Sequence, residues 1–130
     1  MHKSGLHGIS IDCQIGSGAD DLEVAARFWA EALHLPVAEA GLKPNSNYLQ
    51  LSTGPGGLNV EVQRVKHPSR VHLDIESDDV EAEVKRLERL GARIAERVED
   101  WVVMEAPTGH RFCVVRGRYR SGAGDGGGSP

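Results

Sequence analysis

Three side chains in this sequence have types and surroundings that suit chemistry. From Arg70 the chain runs RVHLDIESDD. His72, Asp74 and Glu76 alternate there with Val71, Leu73 and Ile75, which puts an imidazole and two carboxylates on one side of a strand, where a ligand or metal could be met. A carboxylate beside a histidine in a partly desolvated cleft tunes the proton affinity of the ring, which suits acid–base work. The same alternation also describes a plain solvent-facing strand. Glu61 lies between Val60 and Val62, with Asn59 and Gln63 on its own side. It fits a solvated strand face, or a general base that takes a proton next to a carbonyl. Cys113 lies between Phe112 and Val114 and fits a small apolar filler, with only Arg111 close in sequence to activate it. No Ser-His-Asp order, phosphate-cradling glycine loop or paired-cysteine zinc motif occurs.

The elements that must hold these groups are legible as two similar runs. Ile9 and Ile11 alternate with Gly8, Ser10 and Asp12, a half-buried strand that Gly16-Ser17-Gly18 ends. Leu22, Ala25, Ala26, Trp29 and Leu33 recur at helical spacing, with Asp20 and Asp21 where a helix start favours negative charge. That predicts a helix over 20–34, stopped by Pro36 and anchored in the core by Phe28 and Trp29. Short strands are expected around Val37–Ala40, Tyr48–Ser52 and Leu58–Val65, with a turn at Gly54–Gly57. The second run opens with the His72 strand. A capping box from Asp78 to Glu81 starts a helix whose stripe is Val80, Val84, Leu87 and Leu90, and Gly91 ends it. Strands at Arg93–Glu96, Trp101–Glu105 and Arg111–Val115 follow. The chain thus reads strand, helix, three strands, twice over. Trp101 and Tyr48, on strands, are candidates to face a cleft and stack on a flat organic ligand. His34 and His67 read as surface residues.

Composition narrows the partners. The 130 residues carry a formal net charge of -4 and no Lys/Arg block, which argues against a nucleic-acid groove. No apolar run approaches the ~20 residues of a membrane span, and MHKSGLHG lacks a signal peptide's apolar core. Free thiols at Cys13 and Cys113 in a reducing cytoplasm are therefore expected. From Ser121 the chain is Gly, Ser, Ala, Asp and Pro, without core-forming residues.

HLDIESDDVEAEVKRLERLGA, the APTGHRFCVV ending and the IDC…ARFWAEALHL opening resemble the vicinal oxygen chelate superfamily (glyoxalase/bleomycin resistance/dioxygenase), in its glyoxalase-like branch. The resemblance implies an α+β fold. Two βαβββ modules, about 7–65 and 70–116, form a curled mixed-sheet half-barrel with helices outside, within a domain of 1–117; 118–130 would be a disordered tail. It implies a ligand cleft whose candidate lining is Asp12, Tyr48, Asp74, Trp101 and Arg111. In metal-dependent members the ligands come from the first and last strand of each module. By position these are Gly8, Glu61, His72 and Cys113. Gly8 has no donor, and strand parity puts its neighbour His7 with Ile9 and Ile11. Glu61 and His72 are thus the candidate catalytic pair, and Glu61, His72 and Cys113 the candidate metal ligands, Cys113 only as a thiolate. With the set incomplete, two functions are expected: a small-molecule-binding protein without a full metal site, or a lyase, isomerase or dioxygenase of a small oxygenated substrate using zinc, nickel, manganese or iron. The resemblance also implies a homodimer.

Overall fold

The structure, a computed structural model, describes residues 1–38 and 46–117. The tail expected to be disordered lies outside the described residues, as do residues 39–45. Among the described residues there are two helices and seven strands: β1 (Ser4–Gln14), α1 (Ala19–Leu33), β2 (Tyr48–Leu51), β3 (Asn59–Val65), β4 (Arg70–Ser77), α2 (Val80–Arg89), β5 (Arg93–Val98), β6 (Trp101–Glu105) and β7 (Arg111–Arg116). They divide into two compact units.

The unit Gly8–Val71 pairs its strands in the order β2-β3-β1. β1 runs parallel to β3, with Ile11 beside Val62, and β2 runs antiparallel to β3, with Leu49 beside Val62. A parallel β1–β3 pair needs a crossover, and α1 is part of it. Leu22 and Ala26 of α1 are fully buried against Ile11, Cys13, Leu49, Leu51, Val60 and Val62. Trp29 packs on this cluster, as its spacing predicts. Phe28 does not: it sits on the outer face of α1, 61% exposed, and meets Trp29 edge-on at 5.0 Å. Of the strand expected at Val37–Ala40, Val37 bridges to Leu51, and residues 39 and 40 lie outside the described residues. Gly8 has a steric reason. A Cβ there would run into the backbone carbonyl of Asn59, its register partner on β3.

The other unit holds Met1–His7 and the chain from His72 on, with strand order β4-β7-β6-β5. β4 runs parallel to β7, while β6 is antiparallel to both β7 and β5. α2 buries Val80, Val84 and Leu87 against Val102, Met104 and Val114. Its N-cap is Asp79, one residue later than the expected Asp78; the Asp79 carboxylate accepts from the Ala82 N–H at 3.1 Å. Asp78 instead accepts from the Lys3 N–H, and Glu81 pairs with Arg97 at 2.7 Å rather than closing a box. Gly91 follows the helix with φ 109, a conformation that favours glycine.

One expectation is reversed along β4. Val71 and Leu73 are 59% and 50% exposed, whereas Asp74 is 7% exposed and the His72 side chain 13%. α2 covers the apolar side only from Ile75 onward. The polar side of this strand is the sheltered one.

Candidate functional site

A sheltered row of polar side chains is the informative departure from an ordinary surface, because burial without partners is costly. His72 and Asp74, two residues apart on β4, point the same way, and His72 Nε2 lies 3.2 Å from Asp74 Oδ1. Asp74 is the register partner of Cys113 on β7, and Val103 of β6 stands on the other side of Cys113. One donor atom from each of His72, Asp74 and Cys113 falls within 4.8 Å of the others. An imidazole, a carboxylate and a thiol at this spacing can bind a substrate's polar groups, exchange protons, or hold a divalent ion. Farther along the row, His7 Nδ1 is 3.1 Å from Glu76 Oε2. Strand parity holds at Ile11 and Cys13, which are buried under α1.

Two other expected residues of this unit sit apart from the trio. Arg111 shares the Cys113 side of β7, but its Nε donates to Glu105 Oε1 at 3.2 Å, and Arg93 Nη2 donates to the same oxygen at 3.0 Å. Hydrogen bonding from Arg93 first, then Arg111, holds the Glu105 carboxyl below its usual range. Trp101 lies two residues along β6 from Val103. It lines a cavity of about 200 Å³ with Asp79, Glu81, Arg97 and Arg116.

The unit Gly8–Val71 carries a second polar face, on the side of its sheet away from α1. Register sets Ser10, Glu61 and Gln50 in one row and Asp12, Gln63 and Tyr48 in the next. The expected residues Asp12, Tyr48 and Glu61 therefore share a face. Ser10 and Asp12 are buried, 3.0 Å apart, and the Ser10 hydroxyl is 3.1 Å from Gln63 Oε1. Glu61 is half-buried and accepts from Asn59 Nδ2 at 3.3 Å. Tyr48 is exposed at the sheet's edge strand. Two members escaped the sequence. Ser10 shares the parity of Asp12 and was within reach of that argument. His67, read as a surface residue, has Nε2 3.9 Å from Asp12 Oδ2, a contact across the sheet that no local pattern signals.

The thiols differ in setting. Both are free. Burial, then the charge of Asp12, pushes the Cys13 thiol up, which keeps it an inert core group. Cys113 is half-buried beside His72 and Asp74.

The comparisons with known proteins agree on the fold. The structure resembles a hypothetical protein from Bacillus halodurans C-125 at TM-score 0.59 and 10% identity, covering 88% of this chain and 95% of that one. It resembles methylmalonyl-CoA epimerase from Mycobacterium tuberculosis at TM-score 0.58 and 14% identity, covering 92% and 91%. A glyoxalase/bleomycin resistance protein/dioxygenase superfamily member from Vibrio splendidus 12B01 matches at TM-score 0.51 and 14% identity, covering 90% and 100%. No curated protein matches the sequence. The sequence model of the glyoxalase-like domain matches residues 10–115 of the 130, reaching into both units. With the expected elements in place around two polar sheet faces, the chain belongs to the glyoxalase-like family.

Proposed function

We propose that this protein binds a small oxygenated organic molecule on the sheet face that carries His72, Asp74 and Cys113. The observation that carries the proposal is the inverted burial of β4 over Val71–Asp74, where His72 and Asp74 are sheltered and Val71 and Leu73 are open. His72 is the central donor, Asp74 orients its ring, and Arg111 at the exposed end of the same side of β7 offers a cation to a carboxylate or carbonyl. Trp101 offers stacking at its own cavity, while Asp12, Tyr48 and Glu61 form a separate polar face on the other unit. A thermal-shift panel of 2-oxo acids, 2-hydroxy acids and catechols tests this. At least one class raises the midpoint of the wild type, and His72→Ala abolishes the rise. A flat response across the panel would overturn the proposal.

A second function is favoured by the mixed donor set of the trio: a metal-dependent lyase, isomerase or dioxygenase. There, the trio would hold a divalent ion that polarises the substrate's oxygens. Stoichiometric zinc, nickel, manganese or iron in protein purified without chelator supports it; its absence, with no thermal shift on adding these ions, sinks it. Family resemblance further supports a homodimer, which sedimentation would show at twice the 14.0 kDa chain mass. The free thiols suit the cytoplasm, and fractionation of the producing cell checks that.

A further inference from the structure

We propose that the outer face of α1 docks a basic amphipathic helix of another protein. This face lies wholly within the unit Gly8–Val71, and no residue of the site proposed above belongs to α1. Helical spacing commits Leu22, Ala26 and Trp29 to the core, which leaves positions 20, 24, 27, 28 and 31 along the opposite stripe. Two of these are large and apolar. Val24 is 69% exposed and Phe28 61%, and one helical turn separates them. A lone exposed apolar residue is ordinary. Here an apolar pair shares one hollow of about 460 Å³ with Asp20, Glu23, Arg27 and Glu31. Phe28 stands outside the core cluster, yet its ring rests edge-on against Trp29 at 5.0 Å. A side chain already restrained in this way loses less freedom when a partner covers it, and aromatic anchors carry much of the energy of such contacts.

Charge selects the occupant. Asp20, Glu23 and Glu31 place three carboxylates around the apolar pair, against the one guanidinium of Arg27, so the face carries a formal net charge of -2. A second copy docking through the same face would set these carboxylates against each other, and like charges across an interface disfavour association. An anionic membrane surface is repelled for the same reason. A helix with Leu or Ile one turn apart, flanked by Lys or Arg, matches both features. Its apolar side chains cover Val24 and Phe28, and its cations reach Glu23 and Glu31. A single helix face buries less than a standard interface, so the contact is a transient one whose affinity falls as salt rises.

The probe is a synthetic amphipathic helical peptide built from Leu and Lys, with a twin that carries Glu in place of every Lys. Both are titrated at low salt into the isotope-labelled full-length chain and followed by amide chemical shifts. The Lys peptide is expected to move the amides of Val24, Arg27, Phe28 and Glu31, and the Glu peptide to leave them in place. Phe28→Ala weakens binding of the Lys peptide at least about tenfold, while its thermal midpoint stays close to that of the wild type. Glu23→Lys combined with Glu31→Lys reverses the preference, so that the Glu peptide binds better than the Lys peptide. No binding of the Lys peptide, equal binding of the two peptides, or shifts confined to residues outside α1 overturns the site. So does Phe28→Ala binding within about twofold of the wild type. A dimer seen in sedimentation that Phe28→Ala dissociates also overturns it, because the face then belongs to a second copy.

Discussion

Glu83 shows what single side chains contribute. It is a wholly buried carboxylate in α2. Burial alone would raise its pKa, but hydrogen bonds from Arg86, Ser4 and His2 more than offset this and hold it at about 2. Arg86 grips it through Nε and Nη2, and His2 Nε2 lies 2.8 Å from Oε1. A carboxylate depressed from 4.5 to about 2 adds stability that is fully present above the unfolded value and is lost as pH falls between those limits. The amount is about 3 kcal/mol at neutral pH. Urea midpoints should therefore fall steeply below about pH 4.5, and Glu83→Gln should flatten that fall while lowering stability at pH 7. If the pH dependence of Glu83→Gln matches the wild type, the carboxylate is not the source. At the same scale, strand alternation put His72 and Asp74 on one side of β4, where the structure has them. It put Ser10 on the side of Asp12 but gave no sign of the His67–Asp12 pair, whose members are remote in sequence.

The elements were largely legible, and their departures have local causes. The α2 helix is capped one residue later than expected because Asp79 has the extended backbone that lets its side chain reach the Ala82 N–H, while Asp78 is taken up by the Lys3 N–H. Asp79→Ala should cost about 1 kcal/mol, and Asp78→Ala less, in chemical denaturation; the reverse order would show the assignment to be wrong. In β1, Gly8 is required by the closeness of β3 rather than by a turn. Gly8→Ala should destabilise by about 1–3 kcal/mol through the clash with Asn59, and Gly8→His should do at least as much without gaining a metal ligand. A tolerated Gly8→His would mean that the β1–β3 spacing relaxes readily.

For the molecule as a whole, each unit has its own apolar cluster. Leu22, Ala26 and Val62 anchor one; Val84, Met104 and Val114 anchor the other. Met104 is fully buried, so Met104→Ala should cost about 2–5 kcal/mol. Val24, exposed on the outer face of α1, should tolerate Ala within about 0.5 kcal/mol. Similar losses at the two positions in thermal unfolding would contradict this division between core and surface.

By itself the sequence determined the order of elements, their repetition, the sides of each strand and the family, since periodicity, caps and breakers are local signals. Only the tertiary structure decided which side of each sheet is sheltered. Alternation in β4 separates His72 and Asp74 from Val71 and Leu73, but which set is covered depends on where α2 lies, and α2 reaches only Ile75. Likewise no local pattern sets Asp74 beside Cys113, because strand register is a property of two segments nearly forty residues apart.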